Sequence, residues 1–237
     1  GANRDEMAHR PWKAPARHWP DRPEVVAGLD ELAGGSWLGV NNHGLLAGVL
    51  NRAGSLGPDM EKRSRGELVL EALDHADAAL AAEALADLEP AAFRPFNMVL
   101  ADNRDAYWLR STGVGTMLVE PLPVGVSMVT AHDLNDAASP RVAAYLPRFR
   151  GTPGPDPEAD DWTAWEMLLG STDRAPEAET ESAICFSLDS GFGTMSSSLI
   201  ALSDGTESRP AWAWRFCPTR PDRGAFHQVV PEGPLVS

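Results

Sequence analysis

The sequence predicts an α+β fold, and three observations carry that prediction. Apolar arms joined by polar turns read as antiparallel hairpins over 34–50 and 96–110. Between them, residues 64–88 carry helix caps and apolar residues at helical spacing. The last third is rich in short apolar runs of strand length, at 183–188, 195–202 and 211–217.

Length and charge bound what such a chain does. At 237 residues and 25.4 kDa it is long enough for one large domain or two small ones. With 20 basic against 34 acidic side chains, the formal charge of −14 repels a phosphate backbone, so no nucleic-acid partner is expected. No apolar run approaches the ~18 residues that span a bilayer, and no integral membrane segment is expected. Cys185 and Cys217 lack CxxC spacing and sit in apolar runs. They read as buried small hydrophobes, which suits a reducing cytoplasm. The sequence holds no phosphate loop, dinucleotide fingerprint, zinc-like His and Cys spacing or Gly-x-Ser-x-Gly elbow, so neither a metal nor a cofactor is expected.

Taken in order, Asn3-Arg4-Asp5-Glu6 gathers four polar side chains near the start, which composition alone reads as a solvated terminus. Four prolines within residues 11–23 make that stretch an extended surface loop, with Trp12 and Trp19 pinning it to the core or lying over a cleft. Gly34-Gly35-Ser36-Trp37-Leu38-Gly39-Val40 runs into a strand, Asn41-Asn42-His43-Gly44 turns, and Leu45 to Leu50 returns, with Asn51-Arg52 at its end. Ser64-Arg65-Gly66-Glu67 has capping-box spacing and starts a helix, and Asp77 caps a second one that ends before Pro90. Phe96 to Ala101 and Ala106 to Arg110 flank the turn Asp102-Asn103-Arg104-Asp105.

Strands are expected at 115–120 and 125–131, delivering His132-Asp133 to a loop. Ser139-Pro140 then starts a helix over Arg141 to Leu146. Residues 151–160 form a proline-rich loop inside one domain, because the next helix, with Trp162, Trp165, Leu168 and Leu169 on one face, needs the sheet to pack on. The tail from Pro218 is expected along the surface.

Several of these pieces match one family in order. Asn3-Arg4-Asp5-Glu6, Gly34-Gly35-Ser36-Trp37-Leu38-Gly39, Asn51-Arg52, Phe96-Asn97 and Gly191-Phe192-Gly193-Thr194-Met195-Ser196-Ser197-Ser198 resemble the NRDE family, which includes the Transport and Golgi organisation protein 2 homologues. That family is similar to the N-terminal-nucleophile hydrolases, so the resemblance implies a single four-layer αββα domain over residues 1–237. It also implies an amino-terminal cysteine and an apolar strand ahead of the NRDE run. Gly1 carries no nucleophile, so a leading strand outside these residues is expected. Met195 stands where many members carry arginine, which removes a cation from any anionic substrate group bound there.

The resemblance implies a chemistry as well. A leading thiol attacks a small-molecule amide, and the α-amino group of the same residue, with a pKa near ~8, serves as base. Asp5 is expected to steady that amine, Arg4 to orient Asp5 or bind a substrate anion, and Asn51 and Asn97 to donate to the oxyanion. Asn3, Trp37, Arg52 and His132 are candidate substrate-binding residues. Without the resemblance, Asn97 reads as a strand-edge cap. As an alternative, the resemblance implies a non-catalytic carrier whose cleft, bordered by Trp12, Trp19 and Trp37, holds haem or an acyl ligand. No histidine stands in a haem motif, so haem would be cargo and not a cofactor.

Overall fold

The computed structural model describes residues 1–57, 59–174, 177–205 and 211–230. Five strands come first, β1 (Ala2–Met7), β2 (Trp12–Ala16), β3 (Val25–Asp30), β4 (Leu38–Asn41) and β5 (Leu46–Asn51), then helices α1 (Arg65–Leu73) and α2 (Ala78–Ala86). Strands β6 (Phe96–Ala101), β7 (Ala106–Ser111) and β8 (Leu118–Pro121) precede helices α3 (Pro140–Arg150) and α4 (Thr163–Leu169). Strands β9 (Phe192–Leu202), β10 (Trp212–Cys217) and the two-residue β11 (His227–Gln228) follow. They form two antiparallel sheets, β1-β9-β10-β11 and β2-β3-β4-β5-β6-β7-β8, neither closed into a barrel. The fold is α+β, as expected, with two antiparallel sheets and helices.

The described chain divides into two compact units, one comprising Gly1–Arg10, Pro123–Ala201 and Ala213–Val229, the other built mainly from Pro11–Leu122. In the second unit, helices α1 and α2 cover one face of the seven-stranded sheet. Leu68, Val69 and Leu73 of α1 and Ala78, Ala81 and Leu85 of α2 pack on Leu45, Ala47, Phe96, Met98, Leu100 and Leu109. Each such large side chain contributes about 1.5–3 kcal/mol when fully buried. The capping box forms as the sequence spells it, with the Ser64 hydroxyl accepting from Gly66 N–H and the Glu67 carboxylate from Ser64 N–H. Asp77 caps α2 through Leu80 N–H.

The glycines of the Gly-Gly-x-Trp-Leu-Gly run have a packing reason. A Cβ on Gly35 would lie 2.5 Å from the carbonyl carbon of Gly66, so the loop before β4 meets the first turn of α1 backbone to backbone.

Three segments differ from the sequence-based expectation. The proline-rich stretch contributes β2, an edge strand, and its pairing with β3 is irregular between Lys13 and Ala16, where Pro15 offers no N–H. Residues 125–131 form no strand. Met128 N–H donates to Asn135 Oδ1 and Asn135 N–H to Met128 O, so a local turn with Asn135 at φ 56° takes the bonds a ladder would use. Residues 183–188 likewise form no named strand, making only an isolated bridge between Ser187 and Gly193.

In the first unit, α3 runs past Leu146 and through Pro147 to Arg150. Tyr145 and Phe149 of α3, Leu169 of α4 and Leu199 of β9 share a core with Trp162 and Ile184. The expected tail reaches residues 231–237, which lie outside the described residues.

Candidate functional site

The polar run of the opening is a strand and not a solvated terminus. β1 pairs antiparallel with β9, setting Asn3 opposite Ser197, Arg4 opposite Ser196 and Asp5 opposite Thr194, with a register shift between Arg4 and Asp5. Asn3 Nδ2 donates to the carbonyls of Leu169 at 2.9 Å and Ile184 at 2.8 Å. Asp5 accepts from Thr194 Oγ1 at 2.8 Å on one oxygen and from Arg141 Nη1 at 2.9 Å on the other. Arg141 also donates to Glu181 O at 2.7 Å, and its guanidinium lies 5.2 Å from the centre of the Phe186 ring.

Asn3 and Asp5 therefore reach toward the segments of α3 and α4. Arg4, between them, is 8% exposed and stands 3.9 Å from Glu6, which is 3.6 Å from Arg10. Both Asp5 oxygens are held, so the carboxylate ties β1 to α3 and β9.

Sequence reasoning missed Arg141. The signal was present, because a cation in the first turn of a helix opposes the macrodipole and calls for a carboxylate partner.

In the other unit, register decides which candidates meet. Asn97 sits opposite Leu50 on one side and Arg110 on the other, while Asn51 sits opposite Phe96. Directly opposed residues share a face, so Asn51 lies on the face of Phe96, which the helices cover, and Asn97 on the opposite face. The two amides do not converge.

Arg52 does join Asn97. Its Nη1 donates to Asn97 Oδ1 at 2.7 Å, and Trp108 Nε1 donates to the same oxygen at 3.2 Å. Asn97 is fully buried, and Arg110 stacks 5.8 Å from the Trp108 ring. Two donors on Oδ1 fix which end of the amide is which. Trp108 had no motif to announce it; only its register beside Asn97 finds it.

Trp37 packs edge-on against Trp12, ring centres 5.7 Å apart at 84°. It lies across Gly28, where a Cβ would come within 2.3 Å of two indole carbons. Trp19 stands apart from this pair, packed on the helix-side core with its Nε1 donating to Gly34 O at 3.0 Å. His132 occupies a loop of the first unit, its Nδ1 4.0 Å from Asp136. Cys185 and Cys217 are both buried, and burial pushes the Cys185 thiol up. Among the described residues no group of three or more His, Cys, Asp or Glu side chains is placed to hold a metal ion. No helix among them is long and apolar enough to cross a membrane.

These features define a class: an α+β chain of two antiparallel sheets whose candidate centre is built from amide and guanidinium side chains. Comparison narrows it. The Transport and Golgi organisation 2 family matches residues 1–208, and the chain belongs to that family. It is similar to the Transport and Golgi organization protein 2 homolog of Bos taurus, 38% identical over 106 residues, and to that of Homo sapiens, 37% identical over the same length. Each alignment covers 43% of this chain and 37% of the relative, so the matched part spans well under half of those proteins.

Proposed function

We propose that the chain supplies the scaffold and the oxyanion-binding amide of a hydrolase that cleaves non-peptide amide C–N bonds. The observation that supports this most is the fully buried Asn97, whose amide is held in one orientation because its Oδ1 accepts from both Arg52 and Trp108. In this reading an N-terminal cysteine of the complete gene product attacks the amide carbon as thiolate. The carbonyl electron pair moves onto oxygen, the charge that Asn97 meets in the role the family resemblance gives it. Collapse expels the amine, which takes the proton held by the α-amino group, and water then releases the acid from the thioester. Asp5 acts as a positioning residue, holding β1 against α3 and β9.

Removing one oxyanion donor costs about 10²–10³ in kcat. Turnover of a panel of small amides by protein made from the complete gene should therefore fall by that factor in Asn97→Ala, with the melting transition retained. Undiminished turnover in Asn97→Ala, or turnover that survives alkylation of the N-terminal thiol, rejects the reading.

A second reading has its own support. The Trp12 and Trp37 pair, edge-on to each other with the Trp37 indole across Gly28, offers aromatic surface to a planar or long apolar ligand, and a carrier of haem or an acyl group accords with the transport in the family's name. Haem titration followed at the Soret band, and acyl-ligand titration by calorimetry, test it with Trp37→Ala as control. Absence of binding in the unmodified chain rejects it.

A further inference from the structure

Asn97 lies within a strand, but the guanidinium that orients it rides on a turn. Residues Arg52 to Ser55 form that turn, closed by Ser55 N–H donating to Arg52 O at 3.0 Å, with Gly54 at φ 75° in its third place. Groups on turns are held less exactly than groups on strands, and a polar constellation works only when placed to within about 0.5 Å. The turn therefore needs a fastening to β6 that the sheet ladder does not supply.

Ser55 supplies it from inside, being only 2% exposed. Its Oγ accepts from Arg52 N–H at 3.1 Å and lies 2.7 Å from Arg52 O and 2.9 Å from Pro95 O, the two carbonyls that can take its proton. Pro95 stands two residues before Asn97, so one hydroxyl ties the backbone of Arg52 to the start of β6. Arg65 doubles the tie. Its Nη1 has Ser55 Oγ and Pro95 O at 2.9 Å and Ser55 O at 3.0 Å as acceptors. Arg65 is also the first residue of α1, where the helix dipole disfavours a cation. A cation there costs helix stability, and what it reaches are the backbone oxygens that flank the Arg52 and Asn97 pair.

We propose that Ser55, braced by Arg65, is a positioning residue for Asn97, acting through the Arg52 guanidinium that donates to Asn97 Oδ1 at 2.7 Å. Its effect on turnover rests on the hydrolytic reading given above; its effect on the hydrogen bonds does not. Without the hydroxyl the turn loses its tie to Pro95, and Arg52 no longer arrives at one place on the amide. A displacement of about 1 Å far from the reacting atoms is enough to cost about 100-fold in rate.

Trp108 Nε1–H donates to the same Asn97 oxygen at 3.2 Å and so reports on it. In nitrogen–proton NMR spectra of protein made from the complete gene, with the signal assigned through Trp108→Phe, Ser55→Ala should shift or broaden the Trp108 indole resonance. That of Trp162, bound to Asp160, should stay in place, and Ser55→Thr, which keeps the hydroxyl, should restore the Trp108 signal. On the panel of small amides, kcat should fall about 10- to 100-fold in Ser55→Ala with KM unchanged. Adding Ser55→Ala to Asn97→Ala should cost nothing further, because the two act on one amide, whereas a general structural defect would add its own loss. Arg65→Lys, whose single ammonium cannot span three acceptors, should move the resonance and kcat the same way and serves if Ser55→Ala does not fold. An unmoved indole resonance overturns the proposal, as do additive losses or an unchanged kcat in an active parent. A parent that turns over no amide rejects the hydrolytic reading instead, and the indole resonance still decides whether Ser55 holds Asn97.

Discussion

Replacing Arg141 by Met probes the clasp on β1 most sharply. The Asp5 and Arg141 side chains are 18% and 21% exposed, so the pair is neither dry nor fully screened. Its hydrogen bond is charge-assisted and 2.9 Å long, a kind that contributes about 1.5–3 kcal/mol. Arg141→Met also orphans the Glu181 carbonyl and leaves Asp5 with Thr194. The expected destabilisation is about 2–3 kcal/mol, or a fall in Tm of about 4–12 °C at this chain length.

The assay is urea unfolding by circular dichroism of Asp5→Asn, Arg141→Met and the double variant. Residues in direct contact couple, and a cycle energy of about 1–2 kcal/mol is expected. Additivity to within about 0.3 kcal/mol would show that the two side chains do not hold each other, and the account of β1 would fail with them.

Other outcomes follow from local geometry. Asp102 feels burial, which raises its pKa, but N–H donors from Ala78, Asp105 and Arg104 and the Arg104 charge outweigh it and hold the carboxyl below the usual range. A depressed folded-state value contributes stability above the unfolded pKa of about 3.9 that is lost as pH falls through the folded one. Asp102→Asn should thus be less stable than the parent by a constant amount from about pH 5 to 8, with the gap closing below about pH 4, and a gap that persists in acid contradicts this. Gly35→Ala drives a methyl into the Gly66 backbone and should cost about 2–4 kcal/mol in a urea melt, and a neutral substitution would deny that contact. Both cysteines are buried, so a thiol reagent at pH 8 should label neither in the native chain and both after unfolding; rapid native labelling refutes the packing described.

Much of the fold was legible because local signals and tertiary packing agree. The capping box at Ser64, the turn ending at Gly44 and the alternation through Phe96 to Ala101 each specify their element with residues a few positions apart. Signals failed where a distant partner decides. Apolar residues at 125–131 satisfy strand propensity, yet Asn135 captures their backbone. Pro15 forbids a central strand but not an edge one, and only the sheet order tells which β2 is.

The candidate centre divides the same way. Asn97 was singled out with its neighbour Arg52, but its second donor, Trp108, lies eleven positions on and is found only through register. Asn51, one position past Asn97's partner Leu50, falls on the other face because side chains alternate. The sequence marks Asp5 as a candidate carboxylate, but its two partners, 136 and 189 residues away, are not visible along the chain.

The measurement that bears most directly on Asn97 is intact-mass spectrometry of protein made from the complete gene, mixed rapidly with an activated small amide. An acyl adduct on the N-terminal cysteine is expected, forming about 100-fold more slowly in Asn97→Ala. No adduct, an adduct on Cys185 or Cys217, or equal rates in the two proteins would contradict the role assigned to that amide.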